Sequence, residues 1–371
     1  MHFKKATILF ALFLIVSLGA AGCPPAERGD SGRAPTGAQA GGAVVQPTPA
    51  RQIPVPEAKP VEPLEVIEWS GKRDDGWGDY DKLINEQKYE KASKLVEEMI
   101  EKAKSSKNSE EWVRGLIRYV QLRTALHGYE KAVRFLKEQP WPEDLLGQTV
   151  LNLFYAQSLT IYAHNYSWEI NKRERVESKA VVDLKAWTME QIFAHAFAAY
   201  GEVFSHREQL GKLPASLLKE YIHQGNYPRG IRGTLRDSVT YQWVDLLVDT
   251  TGWRPEHSNQ IYQLDLGALL GEAREAPAVS YLIKPAVHPL TRIAAILGDL
   301  ENWHSGRKER EAEFEARLER LRKLHSNFSQ AEDRAEITAR LRERLKGVRD
   351  LKWWAVGQAA LAEFVRAEQT P

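Results

Sequence analysis

Cysteine is almost missing: the 371 residues contain one, Cys23. That excludes an internal disulfide and any multi-cysteine metal site. An excess of one charge is missing too. Lys and Arg number 51 against 50 Asp and Glu, a net +1. A nucleic-acid binder needs a basic surplus or stripe, so no nucleic-acid partner is expected. The ten histidines include no HExxH and no other i,i+4 pair. His127, His164, His195, His206, His223, His257, His288, His304 and His325 are scattered, as structural or surface histidines are. There is no G-x-S-x-G elbow and no Walker loop. The expectation is therefore no catalytic set, no metal and no cofactor. Asp74-Asp75, adjacent carboxylates in a linker-like turn, are poor candidates for acid–base work.

The one long apolar run is at the N-terminus. Lys4-Lys5 precede ATILFALFLIVSL, residues 6–18. This fits a signal-peptide core and falls short of the roughly 20 residues that span a bilayer. Gly19, Ala20, Ala21 and Gly22 lead to Cys23. The stretch resembles a bacterial lipobox, with Ala20 where Leu is commonest. Residues 1–22 are thus expected to be a lipoprotein signal peptide, with Cys23 the lipidation site. Each buried CH₂ adds roughly 0.8 kcal/mol, so two or three acyl chains anchor a protein stably. An ordinary secretory signal, leaving Cys23 as an incidental thiol, is the plainer alternative.

Half of the 18 prolines lie between Pro24 and Pro63, among Gly, Ala, Gln and Thr. Such a segment buries too little apolar surface to offset its ordering entropy. Residues 23–66 are expected to be a disordered tether, and residues 67–371 a folded body. All 11 tryptophans fall in that body.

The body shows apolar residues at threes and fours, the mark of amphipathic helices. In 79–107 they are Leu83, Ile84, Tyr89, Ala92, Leu95, Val96, Met99 and Ile100. Asn108-Ser109 supply an N-cap before Glu110-Glu111. Gly128 ends that second stripe, and Pro140-Trp141-Pro142 ends the next. Further helices are expected near 145–166, 186–207, 214–223, 232–249, 291–303 and from Trp353-Trp354 to about Arg366. Tyr89-Glu90-Lys91-Ala92 recurs as Tyr129-Glu130-Lys131-Ala132, followed by Leu95-Val96 and Phe135-Leu136. This resembles the second helix of a tetratricopeptide (TPR) unit. The expected fold is all-α: a TPR-like helical-hairpin repeat or α-solenoid body. A long charged helical hairpin is expected at 307–346, seamed by Phe314, Leu318, Leu321, His325 and Phe328 against Ile337, Leu341, Leu345 and Val348. Its charges are expected to form a solvated face.

Two further features invite a functional reading. GNYPRGIRG, Gly225 to Gly233, carries Arg229 and Arg232, with Arg236 beyond it, and could cup an anion; a packed loop is the simpler reading. Tyr155, Tyr162 and Tyr166, with Trp168 nearby, form a stripe suited to sugar or peptide; core packing is the simpler reading there.

Several strings taken together carry a family resemblance. They are YDKLINEQKYEKA, SEEWVRGLIRYVQLRTALHGYEKAVRFLKEQPWP, NLFYAQSLTIYAHNYSWEI, VDLKAWTMEQI, NYPRGIRGTLRDSVTY and WRPEHSNQIYQLDL. They resemble the N-terminal helical region of very large bacterial alpha-2-macroglobulin-like lipoproteins, over most of residues 75–365. The resemblance implies a cell-envelope protein linked to protease trapping and defence. The family's trap needs β-rich macroglobulin domains and, in many members, a Cys-x-x-Gln thioester. With Cys23 the only cysteine and no runs of alternating strands, the chain carries anchor, tether and helical start without the trap. A truncated gene, a piece of a longer frame and a stand-alone relative stay open.

The expected function is a membrane-anchored, non-catalytic module used for positioning or protein contact. Its partners would be the membrane, through lipid, and an envelope protein. The alternatives are a general periplasmic TPR-like scaffold and a cell-envelope enzyme with an unrecognised site.

Overall fold

The computed structural model describes residues 61–177, 180–223 and 225–369. The signal peptide, Cys23 and most of the tether lie outside the described residues. Among those described, the chain is all-α, with no strand beyond an isolated bridge between Pro214 and Thr234. None of the described helices is long and apolar enough to cross a membrane.

Helices of ten residues or more are labelled in chain order. They are α1 (Gly76–Asn85), α2 (Tyr89–Ser105), α3 (Ser109–His127), α4 (Tyr129–Glu138), α5 (Leu145–Asn165) and α6 (Met189–Ser205). Then follow α7 (Leu235–Val248), α8 (Pro289–Gly306), α9 (Arg310–Asn327), α10 (Ala331–Lys346) and α11 (Trp354–Gln369). Each packs against the next along the chain, and α3 also meets α5, as α9 meets α11. One continuous apolar core runs from Trp69 to Phe364.

Local chemistry sets the boundaries. The Asn108 side chain accepts from Glu111 N at 3.2 Å and starts α3. Gly128, at φ 87°, ends α3 where a side chain would be strained. Asp144 caps α5, and Thr188 and Thr234 form capping boxes at α6 and α7. The two Tyr-Glu-Lys-Ala copies both open helices, and Ala92 and Ala132 are both fully buried.

Two expectations need correction. The stripe at 79–107 is two helices, broken at Glu86-Gln87-Lys88. Gln87 takes φ 58°, and Lys88 N reaches back to Leu83 O at 2.9 Å, a Schellman-type stop made without glycine. Lys107 and Lys308 stop α2 and α8 in the same way. The helix expected at 214–223 is only a 3-10 turn, Ala215–Leu218, followed by irregular chain.

The charges of α9 do not all face solvent, because α9 packs most extensively on α8 as well as meeting α10. Glu315 is buried against Arg232 at 2.6 Å, and Trp353 Nε1 donates to it. Glu301 on α8 takes Arg320 at 2.9 Å and also Arg317. The nine expected seam residues are all buried.

The chain also grips the body before residue 67. Leu64 N donates to Gln209 Oε1 at 3.0 Å, and Gln209 Nε2 donates back to Leu64 O at 2.8 Å. Leu145 N donates to Glu65 O, Trp69 is buried, and Ser70 N donates to Glu110 at 2.7 Å. Residues 64–72 therefore form a strap across the starts of α3 and α5.

Candidate functional site

Helices α3, α5, α6 and α7 and the turn at 220–222 surround a cleft of about 330 Å³. Its size falls at the low end of small-molecule sites. Ile117, Val150, Leu153, Phe154 and Leu246 supply the apolar surface. Consecutive turns of α5 deliver Val150, Leu153, Phe154 and Gln157 to one side, because residues three and four apart share a helix face. From α7, Gln242, Asp245 and Leu246, with Asp249 just past its end, do the same opposite them.

Each carboxylate of the cleft has a basic side chain beside it. Glu220 lies 2.9 Å from Arg114 and 3.8 Å from Arg118. Asp249 Oδ2 lies 2.8 Å from His164 Nε2 and closes one end. Asp245 Oδ1 lies 3.0 Å from Lys323 Nζ. The hydrogen bond that His164 donates to Asp249 raises the His164 pKa above its ordinary value, against the loss of solvent. Burial opposes charge on Asp249, yet the bonds from His164 and Thr251 hold its carboxyl below the usual range. Enclosure raises the Asp245 carboxyl despite Lys323. Nearly half of the Asp245 side chain, 46%, still meets water, which screens that effect.

The neutral polar groups are different. Gln242 is 4% exposed, and its Nε2 has no hydrogen-bond partner. The buried Tyr221 hydroxyl has none either. A buried donor left unpaired costs about 1–3 kcal/mol, so each calls for an explanation.

Behind the turn, Arg114 on α3 is 1% exposed. It binds Glu110 at 2.9 Å, Glu111 and Glu220, and it donates to Lys72 O at 3.3 Å. Trp69 packs edge-on to Tyr221, with ring centroids 6.0 Å apart. One side of the cleft is thus braced by the strap.

A second polar cluster has the residue types of a catalytic triad in the wrong order. Thr234 Oγ1 donates to Asp237 at 2.7 Å, and Asp237 lies 2.8 Å from His304 Nε2. His304 Nδ1 lies 2.8 Å from Glu309. A nucleophile needs the histidine beside the hydroxyl. Here the aspartate stands between them, and Thr234 caps α7.

The residues singled out in the sequence are mostly structural. Arg232 turns inward to Glu315 and Glu319 under the rings of Tyr227 and Tyr241. Arg236 binds Asp299 at 2.7 Å and Glu208 at 2.5 Å. Arg232 of the loop Gly225 to Gly233 and Arg236 beyond it are therefore spent on the fold, and Arg229 is exposed. Tyr155 and Tyr162 are buried, Tyr166 is 36% exposed and Trp168 is 65% exposed, so the stripe divides between core and surface. The Asp74 carboxylate lies 3.6 Å from Lys102 on the surface. Among the described residues no group of three or more His, Cys, Asp or Glu is arranged to hold a metal.

The cleft itself was not picked out in the sequence. Its residues span positions 117–249 and share no motif; only the paired stripes of α5 and α7 hint at it. No protein-family model matches the chain, and neither a curated protein nor a solved structure shows a significant likeness to it.

Proposed function

We propose that this chain is a lipid-anchored envelope module whose helical body holds a segment of a partner protein in the cleft between α3, α5 and α7. It works by contact and not by turnover. The observation that carries this is the state of the cleft: its carboxylates are tied to basic side chains, while Ile117, Leu153, Phe154 and Leu246 give it an apolar surface. A general acid or base needs a titratable group free to exchange its proton, whereas a contact site needs shape and donors.

The rest of the reading has separate support. A TPR-like stacking of helical hairpins is favoured by contacts between neighbours in sequence and by the two Tyr-Glu-Lys-Ala helices. Lipidation of Cys23 rests on the apolar run and small residues before it. Membership of an alpha-2-macroglobulin-like system rests on the quoted strings alone. The test is site-specific photo-crosslinking in cells from Gln157 at the cleft, with Arg342 on α10 as control. One envelope protein captured from Gln157 and not from Arg342 supports the proposal, most of all if it carries macroglobulin domains. Equal capture from both positions sinks it.

One observation favours a second reading, an enzyme acting on cell-wall glycans. Asp245 is a cleft carboxyl with a raised pKa. Release of soluble sugars from purified cell wall by the full chain, abolished in Asp245→Asn, would establish that reading in place of the first.

A further inference from the structure

The stretch between α7 and α8 holds only short helices, Pro255–Gln260, Leu266–Leu269 and Val279–Leu282. Its two ends meet at a neck. His257 and His288 are both buried there, with their rings edge-on and 5.2 Å apart. The two rings are used alike. His257 Nδ1 accepts from Arg254 N at 3.2 Å, and the ring also bonds the backbone of Pro285, where a proline offers only a carbonyl. His288 Nδ1 accepts from Leu290 N at 3.1 Å, and its Nε2 donates to His257 O at 3.0 Å. Each ring is thereby fixed in the neutral form with its proton on Nε2. A second proton would have to go on Nδ1, where an N–H already points, and would set donor against donor.

The groups around the neck oppose that proton further. Arg292 on α8 is 1% exposed, and among the described residues no carboxylate pairs with it. It donates to Val287 O at 2.9 Å and to Lys284 O. Arg254 and the largely exposed Glu256 face His257 from its own turn, and Tyr281 faces Arg292. Trp253, 5.4 Å from His288, and Phe197 of α6, against Arg292, add rings without charge. What the neck closes is a lid. Leu269, Pro277 and Tyr281 of the stretch face Ala294 and Gly298 of α8 across a cavity of about 680 Å³. Away from the neck the lid is fastened by Ala276 N, which donates to Asp299 at 2.9 Å, and by Arg320, which donates to Gly271 O at 3.2 Å.

We infer that His257 and His288 form an acid-released latch: protonation parts the neck, and residues 258–287 loosen from α8 and open the cavity while the rest of the helical body stays folded. Linkage sets the sign. An open ring takes its proton near the ordinary 6.5, and the closed His288 ring only at about 4. The open state therefore binds more protons between those values, and acid favours it. His288 alone should raise the opening constant about twentyfold from pH 7 to pH 5. Burial lowers the His257 pKa as well, which adds to the effect.

The test is amide hydrogen exchange of the full chain in detergent micelles at pH 7 and pH 5, corrected for the pH dependence of the intrinsic rate. Protection in 254–290 should fall at least about tenfold and return with the pH, with a smaller change in α3, α5 and α7. His257→Asn and His288→Asn together keep both capping acceptors, remove both titrating groups and should abolish the difference. An equal fall across the whole body overturns the latch, as does an undiminished fall in 254–290 of the double variant. Imidazole nitrogen-15 shifts of the wild type give a measure that does not depend on the variant folding. Two rings should keep their neutral, Nε2-protonated shifts down to the pH at which the 254–290 amides lose protection. Every ring charging near pH 6.5 with those amides still protected would also overturn it.

Discussion

The imidazole of His288 is held as a neutral ring between two backbone groups. Its Nε2 lies 3.0 Å from the carbonyl oxygen of His257 and donates to it. Leu290 N, in the first turn of α8, donates to its Nδ1 at 3.1 Å. One nitrogen must carry a proton and the other must not. The ring is thus both the cap of α8 and a tie to the chain at His257. Burial pushes its pKa down to about 4 from an ordinary 6.5, and Arg292 and the His257 ring add to the fall.

A pH dependence follows. The unfolded chain takes up the His288 proton near pH 6.5, and the folded chain resists it until about pH 4. The unfolded state therefore binds more protons in that window, and stability falls as pH drops from about 6.5 to 4. The full difference is on the order of 3 kcal/mol, at 1.36 kcal/mol per unit. His288→Asn keeps a capping acceptor without a titrating group. Urea unfolding at pH 7 and at pH 4.5 should show a smaller acid loss for the variant than for the wild type; equal losses would remove His288 from this account.

Arg114 neutralises a buried acidic cluster, so its removal should be costly. Arg114→Met leaves Glu110 and Glu111 with little to balance them, and breaking a buried pair from one side costs about 3–5 kcal/mol. Because Ser70 N and Gly71 N donate to Glu110 at 2.7 and 3.3 Å, the effect should reach the strap. Hydrogen exchange at those two amides should quicken more than at the α8–α9 interface. A variant that loses under about 1 kcal/mol in urea unfolding would contradict the burial argument.

Lys308 offers the opposite sign. It sits at φ 61°, in the left-handed region, at the stop of α8. A side chain there costs about 1–2 kcal/mol, and glycine gives back about 0.5–1 kcal/mol in unfolded-state entropy. Lys308→Gly should stabilise the protein by about 0.5–1 kcal/mol, a rise in the urea midpoint. No gain would mean that contacts of the lysine outweigh the strain.

Lipidation has its own check. Cys23→Ser should abolish labelling by radioactive palmitate and move the protein from the membrane fraction to the soluble one. Labelling that persists in the variant would refute Cys23 as the anchor.

Helices were legible because their cause is local. Asn108 announces α3, Gly128 ends it, and the threes and fours of apolar residues in 79–107 carry α1 and α2. The stops at Gln87 and Lys308 were not legible, because no glycine marks them; the bonds that form them run backward through the main chain. The inward charges were missed for another reason. Glu315 meets Arg232, and Arg114 meets Glu220, across long stretches of chain. A charged residue on a helix reads as solvated until the tertiary fold brings its partner. The cleft is the extreme case, since its floor and rim come from separate elements.

The strap has a mechanical consequence. A pull on the chain before Leu64 is felt first at the paired bonds to Gln209 and then at Leu145, Trp69 and Glu110. These fastenings attach to several helices and share the load before α1 is reached. Trp69 lies against Tyr221, so tension great enough to lift the strap would loosen a side of the cleft before it unwound a helix.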